Sequence, residues 1–138
     1  MVIKSIAHIC IKAKDLEATR HFYCGLLGFE KVFDFTKEGK VSGFYFKVGD
    51  KNFIEVFETK ETGDNNNSQI LHICFETDDI KGLKKMLDSK KIKTTEIKLG
   101  VDNSYQFWVK DPDGIDIEFL EYTKDSSQFT KQNAEMNW

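Results

Sequence analysis

The chain has 138 residues, a formal net charge of −3, 40% hydrophobic residues and 31% charged residues. That length suits one domain with a real core. The acidic balance offers no basic footprint for nucleic acid, and no apolar run approaches the roughly 20 residues that span a bilayer. Three cysteines, none in a CxxC spacing, argue against a disulfide framework or a thiolate zinc site and point to a reduced, cytoplasmic protein. The opening MVIKSIAHIC alternates as a strand does and lacks a secretory-signal pattern.

Taken in chain order, the first strand covers residues 6–12. Ala7, Ile9 and Ile11 share one face, while Ile6, His8, Cys10 and Lys12 share the other. Asp15 starts an amphipathic helix that ends near Gly28. Strands follow over 29–36, 42–48 and 52–58, with KEGK and GDK as hairpin turns. The polar run KETGDNNNSQ, residues 60–69, reads as a linker. Beyond it come a strand over 70–76, a helix that starts at Asp79 and ends near DSKKIK, and strands over 92–98, 103–110 and 115–122. LGVD and DPDG supply the last turns, and Pro112 sits in one of them, away from any strand ladder. Residues 1–123 are expected to form a single domain: a first module over 1–59, the linker, and a second module over 70–123. Residues 124–138 read as a polar, loosely packed C-terminal tail in which Trp138 is the residue suited to dock.

This order contains a repeat. AHIC at 7–10 recurs as LHIC at 71–74, an offset of 64 residues. Asp15 and Asp79 keep the same offset, and the apolar positions of the two helices correspond. Each half is therefore a βαβββ module, and the fold class is α+β.

The same repeat carries chemistry. In the last strand of the first half, Glu55 lies between Phe53 and Phe57; in the last strand of the second, Glu118 lies between Asp116 and Leu120. The two glutamates match within one residue of the His8–His72 offset. An ionised carboxylate in such a strand is costly unless it is paired or bound to a cation. Two neutral imidazoles and two carboxylates make a good divalent-metal set and leave the site neutral. His8, Glu55, His72 and Glu118 are thus the candidate metal ligands. Lys12, Phe53, Phe57, Gln106 and Trp108 are candidates for substrate binding; core packing is an equal reading of Trp108. His21 has no counterpart in the repeat and reads as surface or packing. Cys10 and Cys74 read as cavity lining, and Cys24 as helix core.

The stretches AHICIKAKDLEATRHFYCGLLGFE, NFIEVFE, LHICFETDD and VKDPDGIDIEFLEY resemble the vicinal oxygen chelate superfamily of glyoxalase, bleomycin-resistance and extradiol-dioxygenase proteins. The resemblance covers roughly residues 1–123. It implies two tandem βαβββ modules forming a curled, barrel-like mixed sheet with the helices outside, a metal cavity, and a homodimer. The His-Glu-His-Glu set resembles the glyoxalase I (lactoylglutathione lyase) pattern. That pattern implies a metal-dependent lyase acting on a small-molecule substrate, a thiol adduct of a 2-oxoaldehyde, with one divalent ion, Ni²⁺ or Co²⁺ favoured and Zn²⁺ the alternative. It also implies that a glutamate at the metal carries the proton, which makes Glu118 the candidate base and Glu55 a ligand and candidate second shuttle. Neither nucleic acid nor membrane is an expected partner. Another metalloenzyme of the superfamily, an epimerase or ring-cleaving dioxygenase, and a metal-free drug-binding protein remain the alternatives. Where glutathione-using relatives tend to have Arg and Asn, this chain has Lys12 and Thr59. Lysine keeps the charge but loses the bidentate fork for a carboxylate, which leaves the thiol open.

Overall fold

The computed structural model describes residues 5–60, 70 and 72–136. Most of the expected linker (61–69), Leu71 and Trp138 lie outside the described residues. The chain divides into two compact units, Met1–Ser68 and Gln69–Trp138.

The first unit runs β1 (His8–Ala13), α1 (Leu16–Arg20) extended by a π-helical segment (His21–Leu26), β2 (Glu30–Lys37), β3 (Lys40–Lys47) and β4 (Phe53–Glu58). Its four strands lie in the order β1-β4-β3-β2. β1 and β4 are parallel, and the two hairpin pairs are antiparallel. The Asp15 carboxylate caps α1 by accepting from the Ala18 N–H at 3.0 Å. Glu38 and Gly39 both take positive φ in the two-residue turn between β2 and β3, where Lys37 pairs with Lys40. Strand alternation sends Ile11, Ala13, Ile54, Val56, Phe44 and Phe46 into the core, where Phe22 and Tyr23 are also buried. Tyr23 stacks on Phe46 with ring centroids 4.9 Å apart.

The second unit repeats this plan with β5 (His72–Glu76), α2 (Ile80–Ser89), β6 (Lys98–Leu99), β7 (Tyr105–Lys110) and β8 (Asp116–Glu121), in the order β5-β8-β7-β6. Asp79 caps α2 by accepting from the Gly82 N–H at 2.9 Å, and the Glu121 carboxylate accepts from Ile80 N–H at 2.7 Å. Ile73, Phe75, Leu87, Phe107, Ile117 and Phe119 are buried. In the turn before β8, the buried Asp111 carboxylate accepts from the Asp113 and Ile115 N–H groups, and Gly114 takes φ +83.

The α+β class and the paired modules stand as the sequence indicates, but three details differ. The strands form two four-stranded mixed sheets, not closed into a barrel, where the resemblance implies one curled, barrel-like sheet. The strand expected over 92–98 shrinks to Lys98–Leu99: ahead of it Thr95 N–H donates to the Trp108 carbonyl at 3.0 Å, while the Trp108 N–H goes to the Thr95 hydroxyl at 2.9 Å and not to a backbone carbonyl. The tail is anchored at its root. Ser126 is fully buried, and its hydroxyl lies 2.9 Å from the Ser104 hydroxyl and accepts from the Thr123 N–H. A short helix, α3 (Ser127–Thr130), follows, with Phe129 against Tyr122.

Phe46→Ala opens a cavity under the first sheet and should cost about 3–5 kcal/mol. Phe33, 43% exposed, should cost about 1 kcal/mol or less as Phe33→Ala. Urea denaturation of the two variants beside the wild type checks this contrast.

Candidate metal-binding and catalytic site

The parallel pairing of the first and last strand of each unit sets the candidate site. In the first unit, Cys10 stands opposite Glu55; in the second, Cys74 stands opposite Glu118. His8 and His72 lie two residues before these cysteines and so share their face. His8 Nε2 comes within 3.8 Å of Glu55 Oε2, and His72 Nε2 within 3.2 Å of Glu118 Oε2. The neighbouring positions Ile9, Ile11, Ile73 and Phe75 face the opposite way, into the cores. The register also explains the one-residue mismatch between the glutamates. The two first strands are offset by 64 residues, but the strands paired with them by 63, and the ladder keeps Cys opposite Glu in both.

Each pair has an aromatic ring from the adjoining strand. Tyr45 on β3 pairs with Glu55, and its ring meets the His8 ring edge-on at 5.9 Å. Trp108 on β7 pairs with Glu118, and its ring meets the His72 ring edge-on at 4.9 Å. Trp108 therefore lies beside the second pair and is only partly buried. Tyr45 is the residue that the sequence reading missed. The offset of 63 that relates the glutamates also relates it to Trp108, and that was the available signal.

The expected substrate-binding residues divide between the two units. Lys12, Phe53 and Phe57 share the His8–Glu55 face of the first; Gln106 and Trp108 share the His72–Glu118 face of the second. Lys12 is exposed, as is His21, and Cys24 is partly buried. Thr59 joins Lys14, Glu58 and Lys60 around an open cavity of about 450 Å³ beyond the C-terminal ends of β1 and β4, toward the far end of the strands from His8.

The two carboxylates sit in unequal surroundings. The Glu118 side chain is 10% exposed and that of Glu55 19%. Burial holds the Glu118 carboxyl above its ordinary value, opposed by His72 and by the Cys74 thiol that bonds to it. The Cys74 thiol is raised by burial and then by Glu118, and Cys10 by burial and then by its bond to Glu55. In the metal-free protein both cysteines are therefore protonated at neutral pH and donate to the carboxylates.

Donor chemistry fits a divalent ion. Two ligating atoms about 2.1 Å from one ion sit roughly 3 Å apart; the His72–Glu118 separation of 3.2 Å is close to this, and the His8–Glu55 separation of 3.8 Å is wider. Among the described residues, no group of three or more His, Cys, Asp or Glu side chains gathers as a metal site. The structure shows two donors in each unit.

Residues 5–119 match the model of the Glyoxalase/Bleomycin resistance protein/Dioxygenase superfamily. The chain belongs to this superfamily. It is 26% identical over 125 residues to the Escherichia coli (strain K12) protein YaeR, described as uncharacterized, covering 86% of this chain and 97% of that one. Its fold is similar to that of a lactoylglutathione lyase from Agrobacterium tumefaciens (25% identity, TM-score 0.69, 88% of this chain and 96% of the other). It is also similar in fold to TnmS3, an antibiotic binding protein from Streptomyces sp. CB03234 (18% identity, TM-score 0.74, 89% and 99%). One superfamily fold thus carries a lyase and a binding protein, and the chain's own side chains must decide between such roles. No helix among the described residues is long and apolar enough to cross a membrane.

The raised Glu118 has a consequence for stability. In metal-free protein the folded state holds the Glu118 proton to higher pH than the unfolded chain does. Stability therefore falls as pH rises from the ordinary carboxylate value through the elevated one. Glu118→Gln removes this loss. Chelator-treated wild type and variant should melt together near pH 4, roughly the ordinary carboxylate value, and the variant should melt higher at neutral pH. A wild type that melts higher than the variant at neutral pH contradicts the assignment.

Proposed function

We propose that this superfamily member is a divalent-metal-dependent lyase of the glyoxalase I type. It converts the hemithioacetal of a 2-oxoaldehyde and a thiol into a 2-hydroxyacyl thioester. The observation that supports this reading is the duplicated pair: an imidazole beside a carboxylate, away from the core, once in each unit. On this proposal His8, Glu55, His72 and Glu118 hold one ion, Ni²⁺ or Co²⁺ in preference to Zn²⁺. The bound ion supplies Lewis-acid stabilisation of charge that develops on the substrate oxygens.

The chain's own residues carry the proton. The reaction removes a proton from the carbon that bears sulfur and delivers one to the neighbouring carbonyl carbon. Glu118 is assigned as the base on its position: its side chain is the more enclosed of the two carboxylates, 10% exposed against 19% for Glu55, and lies 3.2 Å from His72. It takes the proton from the first carbon and returns it to the second, so no external acid or base is consumed. The Cys74 thiol, bonded to Glu118, holds the carboxylate in place. Glu55 serves as ligand and second shuttle. Lys12, at the end of the same face as His8, offers a point charge to an acidic group on the thiol. A twofold homodimer of a reduced, cytoplasmic protein completes the proposal. The second reading is a binding protein without turnover, favoured by the ring-lined face of the first unit.

Glu118→Gln keeps an oxygen ligand and nearly the same volume but loses the proton acceptor. With methylglyoxal and a panel of thiols, the variant should keep its metal while turnover falls by roughly 10²–10⁴-fold. Full turnover in the metal-replete variant moves the base to Glu55. A metal-loaded wild type inactive with every thiol favours the binding-protein or epimerase readings.

A further inference from the structure

The His–Glu pairs obey the repeat, but the surfaces around them do not. On the first unit, Phe33 stacks on Tyr45 with ring centroids 4.7 Å apart, and Tyr45 stacks on Phe53 at 5.1 Å. Phe33 also meets Phe35 edge-on at 5.0 Å, and Phe35 lies 4.7 Å from Phe57. Four of these five rings are partly exposed, and Phe33 is 43% exposed. The rings run from the outer strand β2 across β3 to β4, on the face that carries His8 and Glu55.

Gly43 makes this surface continuous. It stands between Phe35 and Phe57 in the ladder, partnered by both. A Cβ there would lie 2.8 Å from the Phe57 ring and would also meet the Val56 carbonyl oxygen. With no side chain at Gly43, the rings of the two flanking strands close over β3. Two register shifts in β2, between Lys31 and Phe33 and between Phe35 and Thr36, bracket the segment that carries Phe33 and Phe35.

The matching ladder positions of the second unit show that the fold does not need these rings. Lys98 pairs with Gln106, and Gln106 with Leu120, where the first unit has Phe35, Gly43 and Phe57. Asp116 pairs with His72 where Phe53 pairs with His8. A repeat that keeps its His, Cys and Glu but builds an aromatic surface in one copy alone has specialised that copy.

We propose that Phe33, Phe35, Tyr45 and Phe53 form the specificity surface for an aromatic ring of the substrate, joined to the oxygens that His8 and Glu55 help to bind. The substrate class is then an aryl-substituted 2-oxoaldehyde adduct in preference to its methyl counterpart. This inference rests on the metal-dependent reading above. Rings stack in offset or edge-on pairs and bury large apolar areas, so half-exposed rings prefer a planar apolar group. Tyr45 lies 5.9 Å from the His8 ring, within reach of a ring bonded directly to a chelating carbonyl.

The test compares two probes, acetohydroxamate and benzohydroxamate, which share an oxygen chelate and differ by one ring. Calorimetry with Ni²⁺-loaded wild type, corrected for each probe's affinity for free Ni²⁺, should show benzohydroxamate bound at least about tenfold more tightly. In Phe33→Ala and in Phe35→Leu this preference should shrink to about threefold or less, with acetohydroxamate affinity unchanged. Equal binding of both probes to the wild type overturns the aromatic assignment alone, as does a preference that survives in both variants. Failure of the chelator-treated wild type to take up Ni²⁺ overturns the metal reading and this inference with it, whereas Ni²⁺-loaded protein that binds neither probe overturns this inference alone. If Phe33→Ala changes the oligomeric state in sedimentation and leaves the probe preference intact, the rings cover a second copy of the chain and the assignment also fails.

Discussion

The parallel ladder between the first and last strand of each unit is the constraint on which the rest of the site depends. Because β1 pairs with β4 with Cys10 opposite Glu55, and β5 with β8 with Cys74 opposite Glu118, each histidine reaches the carboxylate on the neighbouring strand. A slip of one residue would turn His8 and Cys10 into the core and bring Ile9 and Ile11 out. The apolar alternation that builds each core therefore also fixes the face on which imidazole and carboxylate meet. Stability and site share one register.

On that face, duplication and divergence have separate signatures. The His–Glu pair, its cysteine donor and its edge-on aromatic ring recur in both units, so they mark what the architecture and the proposed ion require. Burial does not recur to the same degree. Glu118 is more enclosed than Glu55, and burial raises its pKa. Nor does the lining recur: rings surround one pair, while Gln106, Asp116 and a single Trp108 surround the other. A symmetric ligand set with asymmetric surroundings is how two identical donor types can come to play distinct roles.

Much of this was legible in the sequence because it depends on local pattern. The HIC tripeptide, the period-two alternation and the aspartate before each helix locate the strands, the caps and the four candidate ligands. The turns at Glu38–Gly39 and Asp111–Gly114 are marked by Gly39 and Gly114, which accept positive φ, and by Asp111, which bonds its own backbone. What the sequence hid depends on pairing across strands. Phe33, Phe35 and Gly43 look unrelated until the β2–β3–β4 ladder sets them side by side. Between 92 and 97 the contact with β7 is a mixed one, Thr95 N–H to the Trp108 carbonyl and Trp108 N–H to the Thr95 hydroxyl, which no periodicity records. The rooted start of the tail depends on a hydroxyl contact between Ser104 and Ser126, 22 residues apart. Polar composition alone read that segment as loose.

The proposed function requires that the two pairs act together on one ion. Equilibrium titration of chelator-treated protein with Ni²⁺, read as ions bound per chain, addresses it most directly. The account predicts one ion per chain in the wild type, with tight binding lost equally in His8→Ala and His72→Ala, because each substitution removes one half of a shared ligand set. Two ions per chain, or one that persists after either substitution, would mean that each pair works alone and would contradict the account.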